Sequence, residues 1–477
     1  MKKELLRITN LNCQYKTVKY MVGINICLLE DECVGFLGLS DSGKDFLIDF
    51  ICGDVEEDIR SAHFYLEGRR ITGNEEIKRT VYHMKESNFV LDQWTVAEYI
   101  GLVGEGWLWM DRQQKAQMNK TEAYFRDLGL DMDSTRKLGN LSEMEKRIVD
   151  LVKMISRGSK IIIIDDDFEG MPPQDIEEFN RVLRLVMKKY RMAAVLNLRS
   201  SRLMMKYLDR YIFFRDGRIT KKCRRGLIHS DEQIDIFLLG KTRTTRKKEL
   251  DAFTYRENEE HIIGQECVYR VCNLELENGE QVSLSFEKGK VTTFLSLNDT
   301  EREHLFDVLS GRTRDHGTYW IIGKKRIDAD NVSRFVKCGV VSIKQLGSRE
   351  EAFSNMSVGE NLLLPSLCKI TSADYIMFAR QIQKTINSNK ENLTADMSAL
   401  MKDMELNDYV ALSMERWYLY NPRVLILLDP FDQCDFYGIS IVKSYIIKLS
   451  KRGTAVIIIK SREEFVADIS DEIINLN

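Results

Sequence analysis

The sequence predicts an α/β protein with a mainly parallel sheet, built twice within one chain. Three observations carry this expectation. Apolar runs of strand length alternate with helical stretches in both halves: "ECVGFLGL", "KIIIIDDD" and "AAVLNL", then "VTTFLSL", "CGVVSI", "RVLILLD" and "TAVIIIK". The stretch "GLSDSGKDF" (38–46) follows one such run and fits G-x-x-x-x-G-K, a loop whose backbone cradles phosphate between a strand and a helix. The order of elements in the first half recurs in the second. At 477 residues the chain is also long for a single core.

Each half opens with a sheet-like region that ends in Glu-Asp-Glu (30–32) or Glu-Lys-Gly (287–289), followed by a strand and a candidate phosphate loop. A turn-rich section comes next, "FYLEGRRIT" (64–72) and "YWIIGKKRI" (319–327), then "TVAEYI" (95–100) and "SVGENL" (357–362). An Ile/Val-rich strand ending in Asp, a helix and another strand follow. The helix "DIEEFNRVLRLVMKKY" (175–190) has its apolar residues at helical spacing. Ordered matches of this kind argue for a tandem duplication. Between the halves, "GKTRTTRKKELDAFTYRENEEH" (240–261) is polar and charged, as a connector would be. The expected organisation is a first domain over 1–239, a linker over 240–261 and a second domain over 262–477. The basic "TRTTRKK" within the linker reads as a solvated loop rather than a phosphate contact.

Composition excludes several classes. A net charge of −3 gives no bulk attraction to nucleic acid or an anionic membrane, so no nucleic-acid partner is expected. No run of eighteen apolar residues is present, and "MKKELLRITN" lacks the apolar core of a signal peptide, so the expected location is cytoplasmic. The ten cysteines form no C-x-x-C pair and read as reduced thiols. The six histidines form no H-E-x-x-H motif, which argues against a metalloenzyme.

With "GLSDSGKDF", "MSVGENLLL" (356–364), "RWYLYNPRVLILLDPFDQCD" (416–435) and "FRDGRI" (214–219), the chain resembles tandem ATP-binding cassette proteins over nearly its whole length. The resemblance is to the ATPase subunits of bacterial ribose/galactose-type sugar importers. It implies two domains of the P-loop NTPase fold, each with a small antiparallel sheet and a helical subdomain. It also implies ATP and Mg²⁺ as cofactors, and membrane subunits of a transporter or another cassette chain as partners at the inner face of the membrane. Their contact surface would lie near Glu86 to Ile100, where Phe89 and Trp94 are either exposed or core.

Motif after motif departs from the family pattern. The first loop keeps Gly38, Ser40, Asp41, Ser42, Gly43, Lys44 and Phe46, but Asp45 replaces the hydroxyl that would hold Mg²⁺. Two readings stand. Either the loop still binds nucleotide, with Asp45 and Asp165 as Mg²⁺ ligands, or Asp41 and Asp45 serve as the anions that an empty helix N-terminus favours. Tyr15 stands where the family stacks an aromatic on adenine, or is an ordinary packed ring. By the same resemblance Asp166 holds the general-base position. It is one methylene shorter than the family's glutamate, and geometry must be met before pKa matters. The γ-phosphate-sensing glutamine is Glu86 and the switch histidine is Leu198. The signature loop reads "LSEME" (141–145), keeping Ser142 and losing its glycines to Glu143 and Met144.

In the second half the loop is "SLNDTERE" (296–303), with Ser296 and Glu301 for the glycines, Arg302 for lysine and Glu303 for the hydroxyl. Leu428 stands at the Mg²⁺-orienting aspartate, Asp429 at the catalytic glutamate, and "MELND" (404–408) at the signature. Since the family sandwiches each ATP between one cassette's phosphate loop and the other's signature, neither composite site is complete. The expectation is a pseudo-ATPase that binds at most one ATP and hydrolyses it poorly or not at all. The alternative is a working ATPase subunit of a carbohydrate importer. A tandem-cassette translation factor is disfavoured, because such proteins carry a longer helical linker and intact catalytic glutamates.

Overall fold

The computed structural model describes residues 2–14, 20–40, 42–53, 59–71, 75–85, 92–101, 111–165, 168, 171–199, 202–230, 233–241, 244–245, 266–275, 281–328, 330–366 and 397–476. It divides into two compact units, Met1–Gly240 and Lys241–Asn477.

The first unit runs β1 (Glu4–Gln14), β2 (Tyr20–Leu29), β3 (Glu32–Gly38), α1 (Lys44–Cys52), β4 (Ile59–Leu66), β5 (Arg69–Ile71), α2 (Glu75–Thr80), β6 (Val81–Met84), α3 (Val96–Gly101), α4 (Asp111–Leu128), α5 (Glu143–Arg157), β7 (Ile161–Asp165), α6 (Pro173–Tyr190), β8 (Ala193–Leu198), α7 (Arg202–Met205), β9 (Arg210–Arg215) and β10 (Arg218–Arg224). A six-stranded sheet has the order β10-β9-β3-β8-β7-β6, parallel except for the β9–β10 hairpin. That hairpin turns at Asp216 and Gly217, both at positive φ, which suits an Asp-Gly turn between twisted strands. The inner strands β3, β7 and β8 are covered on both faces and are apolar along almost their whole length. The four strands β2-β1-β4-β5 form a separate antiparallel sheet packed on the same core as α1.

The second unit runs β11 (Cys267–Glu275), β12 (Gln281–Glu287), β13 (Val291–Leu295), α8 (Asp299–Leu309), β14 (Tyr319–Ile322), β15 (Lys325–Ile327), α9 (Val332–Lys337), β16 (Val340–Ile343), α10 (Val358–Leu363), α11 (Leu406–Tyr420), β17 (Val424–Leu428), α12 (Phe436–Lys451), β18 (Ala455–Lys460) and β19 (Glu472–Asn475). Its parallel sheet has the order β16-β17-β18-β13-β19, the same sequence of neighbours as β6-β7-β8-β3-β9. Its antiparallel sheet, β12-β11-β14-β15, repeats β2-β1-β4-β5. The duplication extends to side chains. Thr95 and Glu98 at the start of α3 exchange backbone-to-side-chain bonds of 2.8 and 3.3 Å, and Ser357 and Glu360 at the start of α10 do the same at 2.8 and 3.2 Å.

Residues 233–241 are helical, so the connector expected from residue 240 begins inside the last turn of a helix; most of it lies outside the described residues. The nine described cysteines are free thiols. No helix among the described residues is long and apolar enough to cross a membrane.

Candidate functional site

β3 lies between β8 and β9, and the loop 38–43 leaves its carboxyl end to enter α1. Gly38 has to be bare: a Cβ there would lie 2.3 Å from the Ser42 hydroxyl and 3.1 Å from the Phe214 carbonyl oxygen. Gly43 caps α1 at φ 93°, a left-handed conformation that glycine adopts without strain. Ser42 is buried beneath Gly38, and its Oγ has no hydrogen-bond partner among the described residues. Ser40 is half-buried, and Phe46 packs half-buried against the core of the first unit.

Lys44, the first residue of α1, is only 2% exposed. Its ammonium donates to Asn197 Oδ1 at 2.6 Å and to Asp45 Oδ1 at 3.0 Å. Asn197 in turn donates from Nδ2 to Asp45 Oδ1 at 3.1 Å and to Asp165 Oδ1 at 2.9 Å. The other oxygen of Asp165 meets His83 Nε2 at 3.0 Å. The register of the sheet builds this chain of contacts, since Asp165 at the end of β7 pairs directly with Asn197 on β8. Burial pushes the carboxyls of Asp45 and Asp165 upward, but their partners outweigh it and both lie below the ordinary value. For Asp45 those partners are Lys44, Asn197 and Arg199; for Asp165 they are His83, Asn197 and Arg199.

The sequence points to Lys44, Asp45 and Asp165 but misses Asn197 and His83. A signal for Asn197 existed: it is the one polar residue in the buried strand "AAVLNL". Its neighbour Leu198, at the switch position, is buried and has no side-chain group to hydrogen-bond.

The donor set does not suit a resident Mg²⁺. The two expected ligands, Asp45 and Asp165, are already engaged by Lys44, Asn197 and His83. Among the described residues, no group of three or more His, Cys, Asp or Glu side chains converges on one point. Tyr15, Asp41, Glu86, Phe89 and Asp166 lie outside the described residues. Trp94 is half-buried.

The signature position forms a capping box. Ser142 caps α5, its hydroxyl accepting from Glu145 N at 3.2 Å, while Glu145 accepts from Ser142 N at 2.8 Å. Arg136 donates to the same glutamate at 2.6 Å and to the Asn140 carbonyl at 2.8 Å. The serine that the sequence retains therefore serves its own helix.

The second unit has little loop left to hold phosphate. Lys44 opens α1, whereas Arg302, aligned with it, sits inside α8, which already begins at Asp299. Glu301 replaces the glycine that turns the first loop, so the chain stays helical there. Asn298 caps α8 by accepting from the backbone N–H groups of Thr300 and Glu301. The Arg302 guanidinium donates to Ser296 O at 2.8 Å and to Asp429 Oδ2 at 3.3 Å, and also pairs with Asp299. Ser296 in turn hydrogen-bonds Glu301. Arg302, aligned with Lys44, is thus engaged by protein groups on three sides.

Residues 21–169 match the family model described as ABC transporter. The ribose import ATP-binding protein RbsA of Clostridium perfringens (strain SM101 / Type A) is 23% identical over 98% of this chain and 93% of its own length. The xylose import ATP-binding protein XylG of Geobacillus kaustophilus (strain HTA426) is 21% identical over 99% and 94%. A solved chain from the complex of archaeal ribosomal stalk protein aP1 with the archaeal ribosome recycling factor aABCE1 covers 98% of this chain, and this chain covers 87% of it, at a TM-score of 0.57 and 14% identity. That last likeness is one of fold. With the repeated sheets and the strand–loop–helix of Gly38 to Cys52, the chain is similar over nearly its full length to sugar-import ATP-binding proteins, and its first unit carries the match to the ABC transporter family model.

Proposed function

We propose that the chain is a cassette subunit associated with a carbohydrate importer, that it binds at most one ATP, at the first phosphate loop, and that it turns ATP over poorly or not at all. The observation that supports this reading most directly is the tethered lysine. Lys44 is paired with Asp45 and held by Asn197, so a phosphate competes with both for the ammonium. A carboxylate about 4 Å from a phosphate charge also opposes binding by roughly 4 kcal/mol at an effective dielectric of 20. The glycines at 38 and 43 still support backbone cradling. Hydrolysis further requires an oriented water and positioned donors. Leu198 cannot supply such a donor.

By analogy with importers, the chain works at the cytoplasmic face of the membrane, docked on membrane subunits or on another cassette chain. A regulatory or scaffolding role follows from nucleotide binding without turnover. The competing reading, a working ATPase subunit, is favoured by the relatives, which are import ATP-binding proteins. Steady-state hydrolysis by the purified chain decides between them. Turnover that Lys44→Ala abolishes would establish the ATPase; nucleotide binding without turnover supports the pseudo-enzyme.

A further inference from the structure

The second unit holds an open cleft of about 410 Å³ at the amino-terminal end of its parallel sheet. Lys337 and Gly339, which lead into β16, line one side, and Tyr420, Asn421 and Arg423, which lead into β17, line another. Lys325 on β15 completes the wall. β13 runs parallel to these strands, and the phosphate-loop position follows its carboxyl end. The cleft therefore lies at the opposite end of the sheet from this unit's phosphate-loop position.

Three cations line this cleft and no carboxylate does. None of the three side chains has an ion-pair or hydrogen-bond partner among the described residues. Other cations of this unit are paired, among them Arg302, Lys344 and Lys443. Gathering three unpaired like charges is unfavourable unless an anion compensates. In the first unit the cation at the place of Arg423 is engaged. Lys160 holds the place of Arg423, each donating its backbone N–H to the residue before the neighbouring strand, but the Lys160 ammonium is tied to the Tyr190 carbonyl at 3.3 Å. In the second unit the walls are fixed. Tyr420 donates its hydroxyl to the Val336 carbonyl at 3.0 Å, and a Cβ on Gly339 (φ 89°) would lie 3.2 Å from Arg423 Cγ.

We propose that this cleft binds a small soluble phosphorylated anion, a phosphate monoester or a diphosphate. The planar fork of Arg423 suits two phosphate oxygens, with Lys325 and Lys337 as point charges around them. The proposal does not depend on nucleotide binding at Lys44.

The test uses the full chain carrying Lys44→Ala, which silences the first loop, titrated calorimetrically with inorganic pyrophosphate. One site is expected, weakened about tenfold or more by Arg423→Gln and again by Lys337→Gln. Both positions are exposed, and an unchanged melting temperature without ligand confirms that the variants are folded. Absence of pyrophosphate binding, or equal binding in the double variant, overturns the proposal. So does Arg423-dependent capture by phosphatidic acid vesicles without binding of soluble pyrophosphate, which would assign the site to a lipid headgroup.

Discussion

Asp45 and Asn197 decide what Lys44 can do. Asp45→Ser removes the competing carboxylate and leaves a hydroxyl, so ATP affinity should rise about tenfold, the full Coulomb term being reduced by the exposure of Asp45. Calorimetry would show it, and an unchanged or weaker affinity would sink the account of Lys44 as held by its neighbour. Asn197→Ala should destabilise the first unit by about 1–3 kcal/mol, because the buried ammonium and Asp165 both lose a partner. The pH dependence follows from sign. Asp45 and Asp165 titrate below the ordinary 3.8 in the folded chain, so ionisation favours folding. Their contribution is complete above that pH and is lost as pH falls through the folded-state values. Asp165→Asn should therefore flatten the acid limb of a melting-temperature profile and leave neutral pH affected only by the changed hydrogen bonds.

At the level of elements, one helix start distinguishes the two phosphate-loop positions. α1 begins at Lys44 after a left-handed Gly43, whereas α8 begins at Asp299 under an Asn298 cap. Asn298→Ala should cost about 1 kcal/mol of stability in the second unit, read from denaturant unfolding, without altering nucleotide affinity. The strands were legible from the sequence because buried parallel strands are continuous apolar runs; "AAVLNL" coincides with β8 from Ala193 to Leu198. The early start of α8 was not legible from the aligned loop. Asn298 can be recognised as a cap only once the hydrogen bonds to Thr300 and Glu301 are seen. The use of Ser142 as a cap was hidden by the same ambiguity, since S-x-x-E fits a capping box as well as it fits a signature remnant.

For the whole molecule, the two units share topology but differ in their loops, so a stoichiometry of at most one nucleotide per chain is expected. Lys44→Ala should abolish that binding. Arg302→Ala should leave it intact while destabilising the second unit by about 3 kcal/mol, because Asp429 and the Ser296 carbonyl lose their buried partner. A second nucleotide in the calorimetric stoichiometry would refute the account of the second loop. The duplicated α/β architecture and the loop from Gly38 to Lys44 can be read along the chain, because burial periodicity and glycine spacing are local properties. What Lys44 touches depends on residues that meet only in the folded sheet. Asn197 and His83 lie far from Asp45 and Asp165 in sequence, and the parallel register of β6, β7 and β8 brings them together. A charge pattern read along the chain cannot show which neighbour across a sheet will neutralise it.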